Sequence, residues 1–269
     1  DKYYPIAKGG YGFVYANLHT NKVKKVIKQT RLVKTSSLHT CVNEITIGKE
    51  LFAMGHPMVV QGCEIAVDAD NRKILYLAMS MDYVVGVDLR DYINKEEREF
   101  DRATCGRELN FSLVMMKQLQ TLHAMGIMHR DIKPGNVYIE THGDASYKKL
   151  WLIDFGFASR KEFDTVFKGT DSHCPPELEQ RQRYDKRIDV FSMGATLFDV
   201  FVDFLDPSVG DNTCNSSALW LLINQMLQYE FVGDGCDAYD AEGEFFANRC
   251  RMTIDGAVAL LEAIYKRAY

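Results

Sequence analysis

The stretch from Met128 to Gly156 constrains this chain more than any other. It reads M-H-R-D-I-K-P-G-N-V-Y-I-E, then the polar turn T-H-G-D-A-S-Y-K-K, then L-W-L-I-D-F-G. Two apolar runs, Val137–Ile139 and Leu150–Ile153, flank a connection rich in turn formers, and the pattern predicts a β-hairpin. Asp131, Lys133 and Asn136 stand just before the first run, and Asp154 just after the second. A hairpin gathers its outer ends, so two carboxylates, an amide and an ammonium are expected at one end of a rigid platform. Such a set can hold hard divalent cations through oxygen and position a hydroxyl nucleophile, as phosphoryl transfer requires.

At 269 residues the chain can form one large domain or two lobes around a cleft. A hydrophobic share of 46% with 26% charged residues is globular, and the net charge of −5 argues against a nucleic-acid surface. Apolar runs stop well short of a membrane span. Asp1-Lys-Tyr-Tyr-Pro-Ile opens in a strand-like pattern with no charged-then-apolar leader, so no secretory signal is expected. The seven cysteines (41, 63, 105, 174, 214, 236 and 250) include no C-x-x-C pair, which suits a reducing compartment better than a disulfide framework. The seven histidines show no metal-ligand spacing.

Along the chain, Tyr4–Ile6, Phe13–Ala16 and a lysine-rich Val23–Gln29 predict three strands. Ser37–Met54 turns helical, with Val42, Ile45, Lys49 and Phe52 as its stripe and His56-Pro57 at its end. Met58–Val67 and Lys73–Met79 predict a second hairpin. Residues 80–88 form a connector, and Lys95–Arg102 is a solvated run of mixed charge. Leu109, Leu113, Met116, Leu119 and Leu122 form a helical stripe leading to His129. Residues 157–184 are a long loop, Ile188–Phe201 a buried helix, Ser217–Leu227 a further helix, and 232–244 an acidic loop. Thr253 caps a last helix carrying Ile254, Val258, Leu261 and Ile264. The expected fold is α+β and bilobal: a small β-rich lobe with one main helix (1–79), a connector (80–88) and a larger, mainly helical lobe (89–269).

Taken as an ordered set, these motifs resemble the signature of eukaryotic-type serine/threonine protein kinases, over essentially the whole chain. The resemblance implies the following roles. Ala7, Lys8, Gly9, Gly10, Tyr11 and Gly12 would be the glycine-rich phosphate loop, with Ala7 where the family has its first glycine and Val14 roofing the adenine. Lys25-Val26-Ile27-Lys28 resembles V-A-I-K, so Lys28 would hold the phosphates, Glu44 would pair with it, and Val26 would narrow the adenine site. Met79 would be the gatekeeper, Ser80 and Met81 part of a hinge reading the adenine edge, and Asp88 would bond the ribose, two residues off the commonest spacing.

His129-Arg130-Asp131 resembles the catalytic loop. Asp131 would accept the proton of the attacking hydroxyl, Lys133 would neutralise the moving phosphate, and Asn136 and Asp154 would bind Mg²⁺. Gly169-Thr170 and Pro175-Pro176-Glu177 resemble G-T…A-P-E; Pro175 replaces alanine and His173 a usual aromatic. Glu177 would pair with Arg251, and Asp189 would support the catalytic-loop backbone. Arg130 needs an anionic partner, which phosphorylation of the activation segment at Ser159 or Thr165 would supply. Gly48 replaces a large apolar residue one turn after Glu44, which would leave a gap unless a neighbour fills it, and a less firmly docked helix.

The function so implied is ATP- and Mg²⁺-dependent phosphorylation of serine or threonine in protein or peptide substrates, inside the cell (cytoplasm or nucleus). No nucleic acid or membrane partner is expected, and the helix bearing Glu44 could receive a regulatory partner. The alternative is a weakly active or inactive kinase-like binding module, motivated by Ala7, Val26, Gly48, His173 and Pro175. A small-molecule kinase fits less well, because Gly169-Thr170 and Glu177 resemble a peptide-binding platform.

Overall fold

The structure is a computed structural model that describes residues 2–8, 12–28, 32, 35–70, 72–94, 102–142, 147–205, 216–228 and 251–268. Two compact units emerge. The smaller comprises residues 1–86, 140–147 and 153–158, and the larger comprises 87–139, 148–152 and 159–269.

In the smaller unit, strands β1 (Tyr4–Lys8), β2 (Phe13–Asn17), β3 (Lys22–Lys28), β4 (Gly62–Val67) and β5 (Ile74–Asp82) form one antiparallel sheet in the order β1-β2-β3-β5-β4. Residues along a strand face alternate sides. In β3 the inner side carries the buried Val23 and Ile27 with Lys25 between them, while Lys24, Val26 and the exposed Lys28 share the outer side. Ile27, Leu77, Met79, Val60 and Cys41 form the core between this sheet and helix α1 (Thr35–Ala53). The buried side of α1 carries Cys41, Glu44, Ile47 and Leu51. Val42 and Phe52, two members of the expected stripe, are 52% and 44% exposed. The helix stops at Gly55 (φ +88°), ahead of Pro57. The His56 amide bonds Leu51 O at 3.1 Å and the Gly55 amide bonds Phe52 O at 2.9 Å, a Schellman closure that only an unhindered backbone accepts cheaply.

Strand β6 (Gly86–Asp88) runs straight into helix α2 (Leu89–Ile93), followed by α3 (Arg102–Ala124). The expected hairpin is present as β7 (Val137–Thr141) and β8 (Tyr147–Leu152), in a sheet of order β6-β7-β8. The polar segment 157–184 contains α4 (Pro176–Glu179) and short 3₁₀ turns. Helix α5 (Arg187–Phe201) is buried on nearly every side, and α6 (Ser216–Met226) packs on it. Helix α7 (Ile254–Ala268) packs on α3 and α6, with Thr253 Oγ1 accepting the Gly256 amide at 3.4 Å. Most of the charged run 95–102 and all of the acidic loop 232–244 lie outside the described residues.

Among the described residues no helix is long and apolar enough to cross a membrane. Cys41, Cys63 and Cys174 are free thiols. Cys105 is disulfide-bonded.

Candidate active site

In the smaller unit a cation and two carboxylates meet, drawn from a strand, a helix and a loop. Lys25 Nζ lies 2.8 and 2.9 Å from the two Glu44 oxygens and 3.7 Å from Asp154 Oδ1. Burial works against the Lys25 ammonium, yet the Glu44 and Asp154 charges outweigh it and raise its pKa. Burial pushes the Glu44 carboxyl up while Lys25 pulls it down, and the net direction is upward. Burial and Glu44 together raise the Cys41 thiol to about 11.

This arrangement corrects the expectation for Lys28. The two lysines are three residues apart on one strand, so they face opposite sides of the sheet. Lys28 is exposed on the outer side, its ammonium 5.2 Å from the Phe13 ring centre. Val26 lies on that outer side too, paired with Phe13 and Ala78. The inner side instead places Val14, Lys25 and Met79 directly abreast on β2, β3 and β5, with Ala16, Val23 and Met81 abreast two residues along.

The segment after Asp154 is tied to α1. Asn43 Nδ2 donates to the carbonyls of Phe155 (3.2 Å), Gly156 (3.3 Å) and Ala158, and His56 meets the Phe155 ring edge-on at 6.0 Å. Asp154 itself is left-handed (φ +65°). A Cβ on Gly48 would sit 2.9 Å from Val60 N and 3.0 Å from Val60 O. The Val60 backbone therefore occupies the space where a gap was expected, and Gly48 is what lets it approach. Gly12 has a similar reason, since a Cβ there would lie 2.2 Å from Val26 O. Gly9, Gly10 and Tyr11 lie outside the described residues.

In the larger unit Asp131 is the hub. Its Oδ2 accepts from Lys133 Nζ (2.9 Å) and Asn136 Nδ2 (2.8 Å), and its Oδ1 accepts from the Thr170 hydroxyl (2.7 Å). Lys133 Nζ also reaches Thr170 Oγ1 at 2.5 Å, and Asn136 Nδ2 donates to Asp131 O at 2.8 Å. The 3₁₀ turn Pro134–Asn136 carries Asn136 back over Asp131. Both of these Asn136 bonds use its amide nitrogen.

The loop rests on Asp189 of α5, fully buried, which accepts the amides of His129 (2.8 Å) and Arg130 (2.7 Å) and pairs with His123 Nε2 at 2.9 Å. Burial alone would raise the Asp189 pKa, but these partners hold it below the ordinary carboxylate value. Arg251 clamps Glu177, with Nη1 on Oε1 and Nη2 3.0 Å from Oε2, a buried bidentate pair. Asp88 is the N-cap of α2, accepting the Asp91 amide at 2.9 Å. His173 bonds Asp199 at 3.0 Å and Ser172 at 2.8 Å.

A profile described as the protein kinase domain matches residues 2–227. This chain belongs to the protein kinase family. Over 212 residues it is 32% identical to inhibitor of nuclear factor kappa-B kinase subunit alpha of Xenopus tropicalis, covering 74% of this chain and 27% of that protein. Over 230 residues it is 27% identical to the serine/threonine-protein kinase ppk16 of Schizosaccharomyces pombe, covering 83% of this chain and 31% of that one. The serine/threonine-protein kinase ULK3 of Homo sapiens is 28% identical over 201 residues, 72% of this chain and 39% of that protein. The matched part is thus well under half of these relatives' lengths.

The structure brings Asp131, Lys133, Asn136 and Thr170 into one hydrogen-bonded cluster and sets Glu44 and Asp154 against Lys25. Lys25 was missed. The signal that could have found it was parity: on a strand whose inner side carries Val23 and Ile27, only an odd-numbered lysine shares their face.

Proposed function

We propose that this chain transfers the γ-phosphoryl group of ATP to serine and threonine hydroxyls of protein substrates. The observation that carries the reading is the cradle on Asp131, where three side-chain donors fix one buried carboxylate. A carboxylate so fixed has a set direction for the proton of an incoming hydroxyl. Asp131 accepts that proton as the oxygen bonds to phosphorus, and Lys133 offsets the negative charge of the group in transit. Thr170, bonded to both, holds the pair at one spacing.

In this reading Lys25 takes the phosphate-holding role and Glu44 fixes its flexible stem. Val14, Ala16, Val23, Met79 and Met81 form an apolar face for the adenine on the same side of the sheet as Lys25. Asn136, through Oδ1, and Asp154 offer the oxygen donors that Mg²⁺ prefers, and the bound ion would supply charge neutralisation at the phosphates. An intracellular site of action goes with ATP as donor. Docking of a regulatory protein on α1 belongs to the same reading, since Leu38, Val42 and Phe52 leave that helix apolar on its outer side.

The test is transfer of radiolabelled phosphate from Mg-ATP to a mixed protein substrate, with phosphoamino-acid analysis of the product. Phosphoserine or phosphothreonine is expected. Binding of Mg-ATP without any transfer would instead favour a kinase-like binding module.

A further inference from the structure

Next to the Asp131 cluster lies another buried ion pair. Arg130 Nη1 is 2.9 Å from Asp164 Oδ2, and the two side chains are 9% and 5% exposed. The same nitrogen donates to Tyr184 Oη at 3.2 Å, and Tyr184 Oη donates in turn to Val166 O at 2.7 Å. Asp164 and Tyr184 also exchange both backbone hydrogen bonds at 3.0 Å as an isolated antiparallel bridge. The remaining oxygen, Asp164 Oδ1, accepts the amides of Thr165 (2.8 Å) and Val166 (3.2 Å). Lys161 adds a second cation at 3.2 Å from Oδ2.

A guanidinium this deeply buried cannot stand without an anion, and removing one member of such a pair leaves the other stranded. Arg130 also holds the loop in other ways. Its amide binds Asp189, its backbone is left-handed (φ +66°), and its carbonyl lies where a Cβ on Gly169 would come within 3.0 Å. Its side chain and its backbone thus touch the segment 159–170 at two places, Asp164 and Gly169, the second directly ahead of Thr170, which bonds Asp131.

Of the two candidate phosphorylation sites, Ser159 is buried and locked in a backbone bridge with Met128, both bonds 2.8 Å. Thr165 is exposed, but the position beside it already delivers a negative charge to Arg130.

We propose that Asp164 is a positioning residue: it supplies Arg130 with a permanent anion from within the chain and so holds the 159–170 segment and the Asp131 loop in working order without phosphorylation. The inference rests on the kinase reading for its rate consequences, and on geometry alone for its order consequences. Burial pushes the Asp164 carboxyl up, but the Thr165 and Val166 amides, Lys161 and Arg130 hold it below its ordinary value, so the charge persists throughout the neutral range.

The test uses the whole chain, freed of phosphate by a phosphatase and verified by intact mass. Its initial turnover is expected to stay within about twofold of the same protein preincubated with Mg-ATP, and Thr165→Ala to do the same. Asp164→Asn should lower kcat by about 10²-fold, the scale of a displaced catalytic group, with KM for ATP within about threefold. Asp164→Glu should recover much of that loss, and Arg130→Met combined with Asp164→Asn should be no slower than Asp164→Asn alone, as members of one unit behave. A second readout needs no activity: tryptic cleavage after Lys161 and Lys168, followed by mass spectrometry, should speed up in Asp164→Asn at a temperature where both proteins remain folded. Wild-type protein that is inert until Ser159 or Thr165 is phosphorylated would overturn the inference, and so would Asp164→Asn with unchanged kcat. If the wild type transfers phosphate in no state, the kinase reading fails, and equal tryptic rates in the two proteins would then sink this inference separately.

Discussion

The polar cluster on Asp131 and the polar cluster on Lys25 are built on different principles. The one on Asp131 is local: Asp131, Lys133 and Asn136 come from a single loop closed by a 3₁₀ turn, and only Thr170 arrives from elsewhere. The one on Lys25 is assembled from β3, α1 and the segment following Asp154, with no two members near each other in sequence. The first is held by hydrogen bonds that converge on one carboxylate. The second is held by charge, and it exists only while α1 stays docked on the sheet. A local cluster ties chemistry to loop geometry, whereas an assembled one ties it to tertiary packing, so activity can be lost at the second without touching a reacting group.

The sharpest way to probe the local cluster is Asp131→Asn. Turnover should fall by roughly 10²–10⁴-fold, the worth of positioned acid–base help, with melting temperature little changed because the amide can still accept from Lys133. Retained turnover would remove Asp131 from the chemistry. For the assembled cluster, Lys25→Met should cost about 10²-fold or more in turnover, as loss of a single charge-stabilising donor does. It should also lower stability, since Glu44 is left buried without its cation. Lys28→Met, measured beside it, should leave both quantities near wild type; the reverse ranking would restore the role first read for Lys28.

Acid separates the clusters in another way. Asp189, the support under the Asp131 loop, has a folded-state pKa below its unfolded value. A depressed carboxylate contributes stability above the unfolded pKa and loses it as pH falls through the folded one. Melting curves of the larger unit should therefore shift downward below about pH 4, the ordinary carboxylate range. Asp189→Asn should lower stability at neutral pH and flatten that acid limb. An unchanged limb would mean that Asp189 contributes little. The smallest expected effect is at Gly48→Ala. Helix propensity alone would favour alanine by about 1 kcal/mol. The new methyl, however, meets the Val60 backbone at 2.9 Å, which cannot swing aside, so a net loss of about 1–2 kcal/mol in a denaturant titration is expected. A gain would show that α1 can shift to make room.

The contrast between the clusters also explains what could be read from the chain. Asp131, Lys133 and Asn136 were legible because their spacing is set by one loop, and spacing along the chain is what a sequence displays. Glu177 with Arg251, and Asp189 under the loop, were legible through the family pattern, and the structure brings each to its partner. Lys25 was not, because the choice among neighbouring lysines depends on which face of β3 points inward, and that is decided by β2 and β5. The α1 stripe failed for a related reason: Val42 and Phe52 are apolar, but the inward face is defined by Cys41, Glu44, Ile47 and Leu51 against β3 and β5. The filling of the expected gap at Gly48 was invisible as well, since backbone from another segment leaves no mark in composition. The pairing of Arg130 with Asp164 has no motif of its own, since the two meet only through the fold of the 159–170 segment.

The glycine loop has a consequence for what selection can tolerate. Ala7 sits on an exposed strand, where a methyl group meets solvent, and the chain already carries a side chain there. Position 12 has no such latitude, because any side chain would begin 2.2 Å from a carbonyl of the neighbouring strand. In a saturation library selected for folded protein, position 7 should return a spread of residues, and position 12 should return glycine alone.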